Sequence, residues 1–183
     1  MTRLPSPASR RLILVSLALT SLGGCAKPAS YTAMVPETQP GLVPAPAPAY
    51  RNAITVGSVA VGQDTATPWR SAVGPDQIRD ALVETLAVNQ LGQPNNGRYR
   101  LDVLLLQLEK PFAGFAMTVT ATMAYRMINV ATGAVVYERT LKGLGTATLD
   151  DAIDNNNRLR IADQRAIRAN IQQMVLDLLA LPG

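Results

Sequence analysis

Two groups of residues in this sequence have side chains that could do covalent or acid–base chemistry. The first is Cys25, the one cysteine among 183 residues, which two glycines precede. The second is a set of three carboxylates, Asp150, Asp151 and Asp154, in the stretch LDDAIDNNN. The chain has no histidine, so histidine-based nucleophilic catalysis and histidine metal ligands are excluded. A nucleophilic thiol and a carboxylate cluster are therefore the groups to explain.

The thiol follows a segment that has the layout of an export signal. Three arginines, Arg3, Arg10 and Arg11, precede the apolar run Leu12–Leu22. A membrane-spanning helix needs about 20 apolar residues, so this run is too short for a lasting span. A basic region, a short apolar core and then small residues are typical of a secretory signal peptide. We therefore predict that residues 1–24 are a signal peptide, removed on export.

The residues at the predicted cleavage site, Leu22-Gly23-Gly24-Cys25, resemble the lipobox of bacterial lipoproteins. The resemblance implies that a signal peptidase recognises Leu22, Gly23 and Gly24. Cys25 would take a diacylglyceryl group as a thioether and become the first residue of the mature chain. The resemblance further implies a covalent lipid in place of any cofactor. The residue after the cysteine is Ala26 and not aspartate, so the resemblance favours an anchor in the outer membrane, on its periplasmic face.

The net charge of the chain is concentrated in the predicted signal peptide. Of the 17 basic residues three precede Cys25, whereas none of the 13 acidic residues does. The formal charge of +4 therefore falls close to neutrality in the mature chain, which shows no basic run. This charge distribution excludes the electrostatic footprint of a nucleic-acid-binding protein.

Residues 25–50 are predicted to form an acylated Pro/Ala-rich tether, and residues 51–183 a single periplasmic domain. The tether ends in VPAPAPAY, and prolines at alternate positions favour an extended chain over a helix or a central strand. Tyr31–Met34 is a possible short edge strand within the tether. The remaining length is sufficient for one domain with one hydrophobic core.

Apolar periodicity in the domain predicts four strands and two helices. Met117–Met127 alternates apolar and polar residues, as expected for a strand with one buried face. Asp and Asn of LDDAIDNNN are expected to cap or precede the final helix. The order β-α-β-β-β-α predicts an α+β two-layer sandwich, with a mostly antiparallel four-stranded sheet and both helices on one face. The predicted strands are Asn52–Val61, Tyr99–Leu108, Met117–Met127 and Ala134–Gly143; the predicted helices lie within Gly74–Gly92 and from about Ile161 to Leu181.

Two surfaces are candidates for partner or lipid contact. The first is the loop carrying Phe112 and Phe115, the two phenylalanines of the chain. Exposed aromatic side chains favour association, although Phe115 could instead start the next strand in register with Met117. The second is the sheet face that bears Thr118, Thr120, Thr122 and Arg126. No metal site is expected, because LDDAIDNNN lacks the alternating oxygen ligands and the glycine of a calcium loop.

Three segments, ITVGSVAV, YRLDVLLL and MINVATGAVVYER, resemble the corresponding parts of auxiliary lipoproteins of ABC-type (MCE-like) lipid transporters. The pattern is also similar to the group that includes the lipopolysaccharide-assembly lipoprotein. The resemblance implies a membrane-anchored, non-enzymatic accessory in lipid or envelope-component transport, with envelope transporter or assembly proteins as partners and no small-molecule cofactor. Two alternatives remain open: a structural or surface lipoprotein without a transport role, and a glycan hydrolase using Asp150, Asp151 and Asp154.

Overall fold

The computed structural model describes residues 29–37, 45–62, 73–111 and 114–182. One four-stranded sheet in the order β1-β2-β3-β4 carries two α-helices. The first two strands pair in parallel, and the other neighbours pair antiparallel. The predicted α+β sandwich with the order β-α-β-β-β-α is confirmed. The elements are β1 (Ile54–Val61), α1 (Pro75–Val88), β2 (Tyr99–Glu109), β3 (Met117–Asn129), β4 (Val135–Ala147) and α2 (Asn155–Leu179).

Helix α1 is the crossover that makes the β1–β2 pairing parallel, and local signals fix its start. Pro75 occupies the first helical position, where its missing N–H costs nothing. The side chain of Gln77 accepts a hydrogen bond from the Gly74 N–H at 2.9 Å. The buried residues recur at helical spacing and face the sheet: Ile78, Ala81, Leu82, Thr85 and Leu86.

Helix α2 begins earlier than predicted, at Asn155 rather than near Ile161. The Asp154 carboxylate accepts hydrogen bonds from the N–H groups of Asn156 and Asn157, at 3.4 and 2.9 Å. This cap satisfies two donors that a helix start otherwise leaves open, so the helix extends into the asparagine run. The expectation that Asp and Asn here cap a helix is confirmed.

Helix α2 approaches β4 closely because two glycines of that strand carry no side chain. A Cβ atom on Gly145 would overlap the backbone of Ala162 and Ala166, and one on Gly143 would overlap the carbonyl of Ala166. Both glycines point to the core face of the sheet. The close helix–strand contact is therefore a direct consequence of glycine at these two positions.

Asn170 lies on the face of α2 that contacts Gly143 and Gly145, and it is fully buried. Its amide nitrogen donates to the carbonyl oxygens of Ala121 and Leu141, both at 2.8 Å. Its amide oxygen accepts a hydrogen bond from the Tyr125 hydroxyl at 2.9 Å. Burial raises the pKa of Tyr125, which keeps that hydroxyl protonated as a donor. One side chain thus joins α2 to both β3 and β4.

The N-terminal described segment differs from the prediction. Tyr31–Met34 is a 3-10 helix and not an edge strand, because Met34 is drawn into the core, where the segment contacts both α-helices instead of a strand edge. Ala29 is also buried. The boundaries of the tether at residues 25–50 stay a prediction, but residues 29–34 within them pack on the domain.

Candidate docking surfaces

The sheet face opposite the helices has no described element packed against it, and we call it the open face. Strand register places two rows of side chains across it. The row nearer the start of β2 is charged, and the next row is made of small or aliphatic groups. The charged row is Ser58, Asp102, Arg126 and Glu138; the small row is Ala60, Leu104, Ala124 and Thr140.

These two rows line a shallow groove with a volume of about 410 Å³. The groove exists because two small side chains, Ala60 of β1 and Ala124 of β3, leave space on either side of Leu104, which is 37% exposed. At one end the Arg126 Nε lies 4.0 Å from Glu138 Oε1, so the cation and carboxylate are available to a ligand as well as to each other. The groove can therefore receive an apolar group with a polar group beside it.

A bulge in β1 holds the charged end of the groove in place. The register shifts between Val56 and Val59, and Ser58 donates from its N–H and its hydroxyl to Asp102 Oδ1 at 2.7 and 2.9 Å. Burial alone would raise the pKa of Asp102, but these hydrogen bonds and Arg100 outweigh it and lower the pKa. Asp102 is therefore ionised at neutral pH.

The structure places all four predicted sheet-face residues on the open face. Arg126 lies in the groove, and Thr118 shares a hydrogen bond of 3.0 Å with Thr146 across β3 and β4. Thr120 and Thr122 are half-buried, next to the open-face positions of β4. A role for these residues in partner contact stays a prediction.

Sequence reasoning missed the aliphatic members of the open face. Leu106 and Leu144 are 42% and 64% exposed, and Leu106 is the extra residue of a second bulge, opposite β3. The run LLL in β2 predicts a strand that is buried on both faces. The exposure of Leu104 and Leu106 is therefore not evident from the sequence. Leu144 lies between Gly143 and Gly145, and that Gly-Leu-Gly pattern is the signal that could have identified an outward-facing leucine on a closely packed strand.

The second predicted surface, the phenylalanine loop, is described at Phe115, while Phe112 lies outside the described residues. Phe115 is 83% exposed and precedes the strand that begins at Met117. It does not start that strand in register with the core. Pairing of Met117 with Ala147 brings the loop after β4 to the same end of the sheet, where Ile153 is 88% exposed.

Two of the three clustered carboxylates are engaged in structural contacts. Asp154 caps α2, and Asp151 makes two hydrogen bonds with the Arg165 guanidinium, at 2.6 and 2.7 Å. Arg165 also donates to the carbonyl of Thr146, which fixes the loop to the end of β4. Within the described ranges no group of His, Cys, Asp and Glu side chains could hold a metal ion. A hydrolytic carboxylate pair would have to break these contacts.

The Asp151–Arg165 pair gives a testable dependence of stability on pH. Hydrogen bonds from Arg165 and from the Thr148 N–H lower the pKa of Asp151 to about 2, against an ordinary value of 3.8. A lowered pKa contributes stability above the ordinary value, and that contribution is lost as the pH falls towards 2. As the pH is lowered, the free energy of unfolding measured with urea should therefore fall more steeply for the wild type than for Asp151→Asn. Identical profiles would contradict the assignment.

No family model and no curated protein matches this chain. Solved structures with the same fold include a Xanthomonas campestris protein of family DUF330, with a TM-score of 0.54, 16% identity, and coverage of 73% of this chain and 89% of that one. A hypothetical protein from Chlamydia trachomatis has a TM-score of 0.50 and 10% identity, covering 72% and 99%. The PelC dodecamer from Paraburkholderia phytofirmans has a TM-score of 0.50 and 18% identity, covering 75% and 93%. These similarities show the fold.

Proposed function

We propose that this protein is a lipid-anchored envelope lipoprotein that serves as a non-enzymatic accessory in lipid or envelope-component transport. The observation that carries the proposal is the open face, a complete side of the sheet on which no described element packs. It presents three exposed leucines, a row of threonines and a groove with a charged end. This surface suits a protein partner better than a small substrate.

The anchor in this proposal is a lipid on Cys25. Within the described ranges, neither α1 nor α2 combines the length and the apolar composition that a membrane-spanning helix requires. Two or more acyl chains hold a protein on a bilayer, whereas one gives only reversible attachment. Confinement to the membrane raises the effective concentration of the domain near a membrane-bound transporter, so a weak contact through the open face is sufficient.

Lipidation is tested separately from docking. Metabolic labelling with palmitate is expected to mark the wild-type protein and leave Cys25→Ser unmarked. Mass spectrometry of the N-terminal peptide should show a chain that begins at a modified Cys25. An unmodified cysteine, or a Cys25→Ser protein that stays in the membrane fraction, would overturn the anchor.

Docking is tested by changing exposed leucines on the open face. The double variant Leu104→Ser and Leu144→Ser is expected to reduce crosslinked recovery of transporter subunits by about tenfold or more, since a tenfold loss needs about 1.4 kcal/mol and one hot-spot residue contributes about 2 kcal/mol or more. The matched control is Val83→Ser with Val88→Ser, two valines of α1 that are 45% and 47% exposed. Equal recovery from both double variants would exclude the open face.

The same experiment includes the phenylalanine loop. Phe112→Ser with Phe115→Ser tests whether the loop, and not the open face, contacts the partner. Loss of recovery in this variant alone would move the docking site to the loop. If no variant changes recovery and no transporter subunit is captured, the structural lipoprotein without a transport role is the better description.

A further inference from the structure

The N-terminal described segment lies along one stripe of α2. The side chain of Gln164 donates to the carbonyl of Ser30 at 3.5 Å, and one turn further along Arg168 lies 3.7 Å from the carboxylate of Glu37. Ala29 is 5% exposed, so the chain is already seated on the domain at that residue. The position where the chain leaves the domain towards Cys25 is therefore beside the first half of α2.

The distance from that exit to the proposed anchor is short. Three residues lie between Cys25 and Ala29, which are thus four steps apart along the chain, and a fully extended chain covers at most about 3.6 Å per residue. Chain length alone therefore limits the distance between Cys25 and Ala29 to about 14 Å. If Cys25 carries the lipid, as the proposed function states, the surface around Ser30 must lie close to the bilayer.

That surface has the chemistry of a headgroup contact. Arg160, Gln164 and Arg168 repeat at four-residue intervals and so share one side of the helix. The two terminal nitrogens of the Arg160 guanidinium donate only long hydrogen bonds, of 3.4 Å to Gln164 and 3.5 Å to Asn157. These two nitrogens can exchange such weak contacts for a phosphate, which a guanidinium binds with two parallel hydrogen bonds.

Two further residues at this surface, Tyr31 and Glu37, are also compatible with contact to a phosphate headgroup. Tyr31 is 41% exposed at the exit of the chain, and tyrosine is favoured where an apolar surface meets water at a membrane. Glu37 engages Arg168 only at 3.7 Å with a side chain that is 91% exposed, so it competes weakly with phosphate. A tyrosine next to Ser30, and two arginines that lie about one turn on either side of Gln164, are thus near the point from which the anchor extends.

We propose that the surface formed by Tyr31, Arg160 and Arg168, which we call the arginine stripe, binds the phosphate headgroups of the bilayer that holds the anchor. This inference rests on the proposed lipidation and adds an orientation to it. The helical layer then faces the membrane and the open face of the sheet points away from it. The domain is held with its docking surface presented to the periplasm.

The first test uses the mature chain with Cys25→Ser, so that no acyl chain contributes. It is mixed at low salt with vesicles of phosphatidylethanolamine and phosphatidylglycerol. Replacing Arg160 and Arg168 by glutamine is expected to lower the partition coefficient by about 30-fold, since each arginine near an anionic surface contributes a factor of about five. The control is Arg98→Gln with Arg139→Gln, an equal change of charge on exposed residues elsewhere, and it should lower partitioning by less than about threefold.

Inorganic phosphate distinguishes a lipid headgroup from a free anion as the ligand. If the stripe contacts headgroups on a surface, excess phosphate at constant ionic strength should leave vesicle binding and the unfolding midpoint unchanged. Displacement from vesicles together with a raised midpoint would show a free-phosphate site instead. Equal loss in the arginine-stripe and control variants would overturn the proposal.

The second test uses the lipidated protein in membranes. A single new cysteine, Thr32→Cys or Thr122→Cys, is labelled with a fluorophore, since the thioether on Cys25 leaves no other thiol; Thr32 is exposed next to the arginine stripe but does not belong to it. A nitroxide on the lipid headgroup should quench the label at position 32 strongly and the label at position 122 weakly. Equal quenching would overturn the orientation while lipidation stands. An unmodified Cys25 would overturn the anchor, and the vesicle comparison would still decide the arginine stripe.

Discussion

Replacing Gly145 by valine is expected to lower the free energy of unfolding by about 3 kcal/mol. Its new side chain would meet the backbone of Ala162 and Ala166, and a helix backbone cannot rotate aside as a flexible side chain can. The helix must therefore move away from β4 as a unit. Its apolar side chains then pack less closely against the sheet. The effect comes from geometry and not from strand propensity, because valine itself favours a strand.

The measurement is urea unfolding of Gly145→Val beside Leu144→Val, the preceding residue of the same strand. Leu144 points to the open face, so its replacement should change stability by no more than about 0.5 kcal/mol. If the two variants unfold at the same urea concentration, the close contact between α2 and β4 would be wrong.

Replacing Asn170 by alanine is the second large expected loss, of about 3 kcal/mol. The change removes the donor to the carbonyls of Ala121 and Leu141 and the acceptor for the Tyr125 hydroxyl, all in the core. A buried polar group without a partner costs about 1–3 kcal/mol, which is more than the net gain from one hydrogen bond. The cost should therefore exceed that of the deleted atoms alone.

A double-mutant cycle isolates this network. Tyr125→Phe alone removes one donor, and in the Asn170→Ala background its cost should fall, because the hydroxyl has already lost its amide acceptor and keeps only the sulfur of Met123, at 3.4 Å. The control Gln172→Ala changes an exposed amide on the same helix and should be close to neutral. Additive effects of the two core changes would contradict a shared hydrogen bond.

The sequence predicts much of this fold because most elements have strong local patterns. The alternation that starts at Met117 and the apolar stripe of α1 each indicate both the type of element and its buried face. Pairing then follows from short connections, such as the turn in which the Asn129 side chain accepts from the N–H groups of Ala131 and Thr132. Local pattern and chain connectivity are sufficient for the sandwich.

The failures have a common physical cause, which is that contacts distant in sequence decide them. Met34 takes its conformation from the two helices that surround it, so the local sequence does not indicate a 3-10 helix. Asn170 has the appearance of a surface residue in a helix, and only its position opposite Gly143 brings it to the core. The sequence predicts the open face at its threonines but not at Leu144. The exposure of a strand residue depends on whether another element packs on that face of the sheet, and the local sequence does not show this.

The parallel pairing of β1 has a consequence for the order in which the chain folds. The β3–β4 hairpin joins neighbouring strands through a short turn, and hairpins form in about 1–10 μs. By contrast, β1 reaches β2 only after α1 has closed the crossover, with Ile54 opposite Tyr99. Because loop-closure entropy delays distant contacts, β1 and α1 should join a β2–β3–β4 nucleus late and detach from it first. The β1 side of the sheet is thus the region where transient opening begins.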